Sequence, residues 1–324
     1  MTRRRPLLAA GFLLALSAAA LLGPLLGLRD PAAQPDGLVL RDLPPFSRAE
    51  AVRLVGEGLR YADEIRDEAD GSVSLRRGVS WERIPAASLA GATPEARRVR
   101  PFFVLGTDGY GRDLLSRIVN GARVSLLVSL LAAGLAVTLG AGAGLAAGLF
   151  GGVVDGLLMR LTDVFLSVPR LFLLLLLVAL YGPSLAGTVL VLGATSWMAA
   201  ARVVRAEILS LREREYVRAA EASGASRARV AFLHLLPGAA APLLVEGTIR
   251  FANTLLLESS LSFLGLGVPP PSPSWGNLIA DGRDSLLGAW WIATLPGVAI
   301  AATVLAVNAL GEALREKVEP RVAR

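Results

Sequence analysis

The chain of 324 residues contains no cysteine, one histidine and one lysine, and aromatic side chains make up only 6% of it. Without cysteine there is no disulfide framework, no thiolate nucleophile and no sulfur ligand for a metal. The lone His234 cannot build a multi-histidine zinc site. The lone Lys317 is followed by Val318, so the GxxxxGK[ST] phosphate loop is missing and the chain cannot be its own P-loop ATPase. Neither a GxSxG nucleophile elbow nor an HExxH zinc motif occurs, which argues against an enzyme.

What is abundant is apolar sequence. Hydrophobic residues make up 53% of the chain, and the mean hydropathy is +0.55. Long uncharged runs point to several membrane spans rather than one soluble core, hence an all-α, polytopic membrane protein. The net charge of +6 does not imply a nucleic-acid partner, because basic residues flanking apolar spans are what membrane orientation requires. Membrane lipid is the expected surrounding.

Arg3, Arg4 and Arg5 precede an apolar run from Pro6 to Leu28. A cleaved signal peptide starts similarly, but its apolar core is only about 7–15 residues, so a retained first helix with a cytoplasmic N-terminus is expected over residues 1–28. Residues 29–121 read as an extracytoplasmic region. Within it Ser47 and Glu50 fit a capping box, and Val52, Val55, Leu59, Ala62 and Ile65 keep helical spacing, so one amphipathic helix is expected there.

Residues 122–312 read as a five-helix core. Helix two is expected over Ser125–Phe150, helix three over Val164–Leu180, helix four over Leu185–Ala201, helix five over Ala239–Leu264 and helix six over Leu287–Leu310. Gly140, Gly144 and Gly148 in helix two have the small-xxx-small spacing of a close helix contact, either at a subunit interface or within the chain. Trp290 and Trp291 are placed for an interfacial belt. Arg315, Lys317, Arg321 and Arg324 mark a cytoplasmic tail over residues 313–324.

The most charged internal stretch is Glu207–Pro237, within a cytoplasmic loop over residues 202–237. Good helix formers run from Glu207 to Ser223, with Glu215, Arg218 and Glu221 at i, i+3 spacing. Gly224 offers a stop, and Ser226 can cap a second helix that carries Phe232, Leu233 and Leu236 on one side before Pro237 ends it. Ala219, Ala220 and Ala222 leave little bulk beside the turn, so another protein could approach its backbone.

YVRAA at Tyr216–Ala220, then Gly224, then HLLP at His234–Pro237 resembles the EAA loop of ABC-importer permeases, with Arg218 where that pattern usually has Glu. GTDGYGRDLLSRIVNGARVSL at Gly106–Leu126 and LSFLGLGVPPPSPSWGNLIADGRD at Leu261–Asp284 are similar to segments of the C-type permeases of dipeptide, oligopeptide and nickel importers. The resemblance implies a six-helix type I importer permease of the bacterial inner membrane, carrying peptides. It also implies a second homologous permease, two cytoplasmic ATPases that bind the ATP, and an extracytoplasmic substrate-binding protein. Tyr216, Ala219, Ala220, Gly224, His234 and Pro237 would then form the ATPase dock, and the chain itself would need no cofactor or metal. Alternatives are a permease for nickel or another small solute, or a membrane anchor or sensor that recruits a cytoplasmic protein.

Glu246, Arg250 and Glu258 fall in or near the end of the fifth apolar span. A charge at the centre of a span costs roughly 2.5–3.5 kcal/mol on insertion scales, so these three are expected to face inward and be paired. Glu246 and Arg250, four apart, can meet on one helix face, either as a structural pair or along a translocation path.

Overall fold

The computed structural model describes residues 5–25, 27–91 and 93–318. Arg3, Arg4, Arg321 and Arg324, on which the basic N-terminus and tail partly rest, lie outside the described residues. The chain divides into two compact units. One contains most of the apolar helices (residues 1–17, 124–269 and 299–324); the other contains residues 18–123 and 270–298.

In chain order the elements begin with helix α1 (Arg5–Leu22) and the strands β1 (Ser47–Arg48), β2 (Glu50–Leu54), β3 (Gly58–Ala62), β4 (Glu64–Asp67), β5 (Val73–Arg77) and β6 (Ser80–Ile84). A short helix α2 (Pro94–Arg97) and strands β7 (Arg98–Val99) and β8 (Phe102–Phe103) follow. The rest is helical: α3 (Leu114–Phe150), α4 (Gly152–Ser167), α5 (Arg170–Tyr181), α6 (Leu185–Ala194), α7 (Trp197–Arg212) and α8 (Glu215–Ala222). Then come α9 (Arg227–Val230), a π-helical turn (Ala231–Leu235), α10 (Leu236–Phe263), α11 (Trp275–Asp281) and α12 (Trp291–Val318).

Among the described residues, four helical stretches are long and apolar enough to cross a membrane: Leu114–Phe150, Leu185–Arg212, Arg227–Phe263 and Trp291–Lys317. The pair α4 and α5, bent by 88° at a break around Pro169, makes a fifth if it is one span. The expected first span corresponds to Pro6–Leu22, an apolar helix of 17 residues, short of the roughly 20 that a 30 Å hydrocarbon core requires. The mostly helical membrane architecture is therefore as expected, and the count of six is reached only by including this shorter helix and the bent pair.

The expected amphipathic helix after Ser47 is instead β-structure, in three small antiparallel sheets ordered β1-β8, β3-β2-β7 and β4-β5-β6. Ser47 pairs with Phe103, and Glu50 reaches Arg100 at 2.8 Å rather than closing a capping box. The reason is local. Gly56 and Gly58 adopt φ of +77° and +88° and fold β2 back on β3, a conformation open to glycine at little cost. Val52 and Leu54, two apart, then share one face of the strand. These two pack with Ala62, Val73, Leu75, Ile84 and Leu89, while Ala51 and Tyr61 on the opposite face pack with Leu40, Ala49 and Phe103.

Helix α3 starts at Leu114, some ten residues before the expected Ser125, because Asp113 caps it by accepting from the Ser116 N–H at 2.9 Å. Burial pushes the Asp113 carboxyl above its usual range. The expected third and fourth spans are each interrupted, at Val168–Pro169 and at Thr195–Ser196. Of the two tryptophans expected in an interfacial belt, Trp290 is exposed whereas Trp291 is buried and donates to the Thr107 carbonyl at 3.3 Å.

The glycine stripe of α3 is an internal seam. A Cβ on Gly140 would lie 2.5 Å from the Ala200 Cβ, one on Gly144 2.5 Å from the Ala201 carbonyl oxygen, and one on Gly148 2.7 Å from the Ile208 Cγ2. All three partners are on α7, so the stripe serves packing within the chain. Gly142, between them, has nothing within 4 Å of its notional Cβ. Gly144→Val is therefore expected to separate α3 from α7 and destabilise the protein by about 1–3 kcal/mol. Gly142→Ala should be neutral or stabilise by up to about 1 kcal/mol. Denaturant unfolding of the detergent-solubilised variants measures both.

Candidate functional site: an exposed glycine turn and buried charges

The charged loop begins as the end of α7. Here Arg205 forks onto Asp155 of α4 at 2.5 and 2.6 Å, and Arg202 reaches Asp163 at 2.5 Å. Two turns on from Arg205, Arg212 donates to the carbonyls of Gly148 and Leu149 at 3.0 and 3.3 Å. These are the last carbonyls of α3, which have no helical partner, so Arg212 caps a neighbouring helix as it leaves its own. The expected single helix from Glu207 to Ser223 breaks at Glu213–Arg214, and Arg218 pairs with Glu213 rather than with its i±3 neighbours.

Helix α8 then ends as the sequence suggests. Gly224 has φ of +82°. The Ala225 N–H donates to the Ala220 carbonyl at 3.1 Å and the Gly224 N–H to the Glu221 carbonyl at 3.0 Å, the two bonds of a Schellman stop. Ser226 caps α9 by accepting from the Arg229 N–H at 3.3 Å.

Pro237 does not end the second helix. It falls in the first turn of α10, where a missing N–H costs nothing, and the π-helical turn Ala231–Leu235 carries the chain through. The extra residue in that turn also shifts the helix phase. Val230 and Leu235 point inward, and Phe232 and Leu233, expected on the packing side, are exposed.

The loop is bolted to the membrane helices by a core of Val204, Ile208, Leu211, Val217, Val230, Leu235 and Ala239. Outside that core Tyr216, Ala219, Ala222 and Gly224 are exposed and Ala220 is half-buried. A Cβ on Gly224 would meet nothing within 4 Å. His234 is partly exposed, with its ring 6.2 Å from that of Tyr216. The structure thus places Ala219, Ala220 and Gly224 at one small-residue turn, Tyr216 beside His234 at the other end of α8, and Pro237 exposed at the start of α10.

In α10, Glu246 and Arg250 do meet: Oε1 and Nε approach to 2.6 Å, and both residues are largely buried. Glu246 lines a cavity of about 570 Å³ together with Thr248, Asn308, Glu312 and Arg315. Arg250 lines a separate one of about 230 Å³ with Thr195, Ser196, Met198 and Phe165. Glu258 stands apart. It is fully buried and accepts from the Ser262 hydroxyl at 2.8 Å, and Ser262 in turn accepts from the Val268 N–H at 3.3 Å. It therefore braces the end of α10, away from the cavity that Glu246 faces.

Sequence reasoning did not single out Asn308 or Glu312 and assigned Arg315 only to the basic tail, although a polar i, i+4, i+7 row on an apolar helix is the signal for an inward face. It also left unassigned the charges inside the two distinctive stretches. Asp108 accepts from Arg112 Nε at 2.6 Å and lies 3.4 Å from Arg117 Nε. Asp281 takes Arg112 and Arg117 at 2.8 and 3.0 Å. Nearby, the Trp275 indole donates to the Ile118 carbonyl at 3.0 Å. The segments around residues 106–123 and 274–284 are thus two halves of one charged clasp.

The family model for binding-protein-dependent transport system inner membrane components matches residues 114–324. The di/tripeptide transport system permease protein DppC of Pseudomonas aeruginosa (strain UCBPP-PA14) is 42% identical over 220 residues, which is 68% of this chain and 73% of that protein. The dipeptide transport system permease protein DppC of Escherichia coli (strain K12) is 46% identical over 219 residues, again 68% of this chain and 73% of that protein. A putative peptide transport system permease protein of Brucella suis biovar 1 (strain 1330) is 42% identical over 241 residues, 72% of this chain and 81% of that one. A solved chain of an amino acid ABC transporter crystallised with histidines aligns at a TM-score of 0.49 and 16% identity, over 63% of this chain and 94% of that one.

The clasp yields a stability prediction. Arg117 is 3% exposed, and Asp281→Asn leaves it with one fewer opposite charge. Breaking a buried pair from one side costs about 3–5 kcal/mol, so Asp281→Asn is expected to lower the unfolding midpoint of the purified protein markedly. Arg283→Gln, which removes only an exposed pair with Asp284, should shift it by less than about 1 kcal/mol.

Proposed function

The chain belongs to the family of binding-protein-dependent transport system inner membrane components, and we propose that it is the peptide-carrying permease subunit of an ABC importer. The family is one of multi-pass inner-membrane transport proteins rather than enzymes, and its relatives work with ATPase and binding-protein partners. For this chain the finer reading is one homologous permease beside it, two cytoplasmic ATPases and one extracytoplasmic binding protein. Both termini and the loop over residues 202–237 would be cytoplasmic, residues 29–121 extracytoplasmic, residues 122–312 the permease core and residues 313–324 the tail.

The observation that carries the reading is the exposed turn at Ala219–Gly224, held rigidly to α3, α4 and α7. An ATPase groove that takes this turn can move it only by moving the helices to which Arg205, Arg212 and the surrounding apolar core fix it. Shifting a two-state permease from 1:99 to 99:1 takes about 5.5 kcal/mol of differential binding. A turn on a loose tether would dissipate that. The named relatives, which are peptide permeases, support peptides as the cargo. Uptake of labelled dipeptide by proteoliposomes holding the four-component complex tests the function. Uptake dependent on ATP and binding protein is expected, and uptake of nickel but not of peptide would contradict it.

Gly224→Val puts a β-branched residue at φ of +82°, a strain of about 1–2 kcal/mol, in a place with open space around it. The variant should insert and fold but lose ATPase co-purification and most transport. Normal values of both would remove the turn from the interface.

A further inference from the structure

The ion pair in α10 is unusual in how it is placed. Glu246 and Arg250 form no continuous network: each faces its own cavity, Glu246 the larger and Arg250 the smaller. Glu246 is 8% exposed, and its Oε1 approaches the Arg250 Nε to 2.6 Å in an ion pair. The larger cavity adds a second carboxylate, Glu312, the Asn308 amide and the Arg315 guanidinium. The smaller is also lined by Thr195 and Ser196, whose hydroxyls donate back to the Val191 and Leu192 carbonyls of their own helix.

We propose that Glu246 and Arg250 form a site for a zwitterionic solute, which opens the ion pair and replaces each partner with its own opposite charge. A solute ammonium would sit against Glu246 in the larger cavity, and a solute carboxylate against Arg250 in the smaller. The inference rests on the peptide reading and narrows it to free, uncapped short peptides. The dimensions agree: four residues of helix rise about 6 Å, and an extended dipeptide spans about 7 Å. The larger cavity, near 570 Å³, is within the range of about 300–1,000 Å³ that encloses small ligands. The exchange turns one buried charge pair into two and leaves no charge of the site unpaired. A solute with one terminus capped would leave either Glu246 or Arg250 unpaired, and a site with buried polar groups rejects such analogues strongly.

The test uses the complex of this chain with its partner permease and ATPases in lipid nanodiscs, without the binding protein, whose own selectivity would mask the result. Equilibrium binding of Ala-Ala is compared with that of N-acetyl-Ala-Ala and of Ala-Ala amide. Wild type is expected to prefer Ala-Ala by at least tenfold over each, about 1.4 kcal/mol. Glu246→Gln should abolish the difference between Ala-Ala and the N-acetyl form, and Arg250→Gln that between Ala-Ala and the amide. The double variant Glu246→Gln/Arg250→Gln carries neither charge, so it avoids a lone buried ion and should assemble yet bind all three alike. The proposal is overturned if wild type binds none of the three, binds all alike, or if both single variants keep full discrimination. Uptake with the binding protein present separates the two levels. No dipeptide uptake by wild type would fail the peptide reading itself, whereas uptake without discrimination in nanodiscs would remove only this site.

Discussion

A charge placed among apolar helices must find an opposite charge, and the structure is arranged around how this chain meets that demand. An unpaired ion inside a span costs several kcal/mol, so each buried charge fixes the position of another element. Asp108 and Asp281 hold Arg112 and Arg117, so the start of α3 and the end of α11 are joined. Arg205 and Asp155 tie α7 to α4, and Arg212 ties the exit of α7 to the end of α3. The Glu246–Arg250 pair differs from these in lying on one helix, with cavities flanking it. That placement, on one helix and beside two cavities, is what suits the pair to the proposed solute site.

The glycine seam works with these pairs. Because Gly140, Gly144 and Gly148 let α7 lie directly on α3, the two helices move as one body, and the Arg212 cap extends that body to the base of the loop. The Schellman stop at Gly224 then presents a turn with alanines at its edges and no side chain at its tip. Stiffness behind the turn and lack of bulk in front of it are the two properties needed to receive a push from a partner protein.

Much of this was legible in the sequence, because the signals are local. The stop at Gly224, the Ser226 cap, the pairing of Glu246 with Arg250 and most of the apolar spans follow from spacing alone. What was misread depends on distant or competing partners. Val52, Leu59 and Ile65 keep helical spacing yet fall in three separate strands, and it is the positive φ of Gly56 and Gly58 that turns the first strand back on the second. Helix α3 begins early because Arg117, polar enough to read as loop, is neutralised by Asp281, 164 residues later. The spacing of Gly140, Gly144 and Gly148 showed a close contact but not with what. Pro237 read as a terminator because a π-turn that absorbs it leaves no mark in residue spacing.

The central claim, that a partner ATPase grips the turn at Ala219–Gly224, can be tested by cross-linking, for which a chain without cysteine is well suited. Single cysteines at Ala219, Ala222 and, as a control, Thr138 of α3, which is exposed elsewhere, would be combined with cysteines along the groove of the ATPase subunit in the assembled complex. Disulfide cross-links from positions 219 and 222, changing in yield between nucleotide-free and ATP-bound states, and none from position 138, are the predicted result. Transport-competent complexes in which positions 219 and 222 cross-link to no ATPase residue in either state would contradict it.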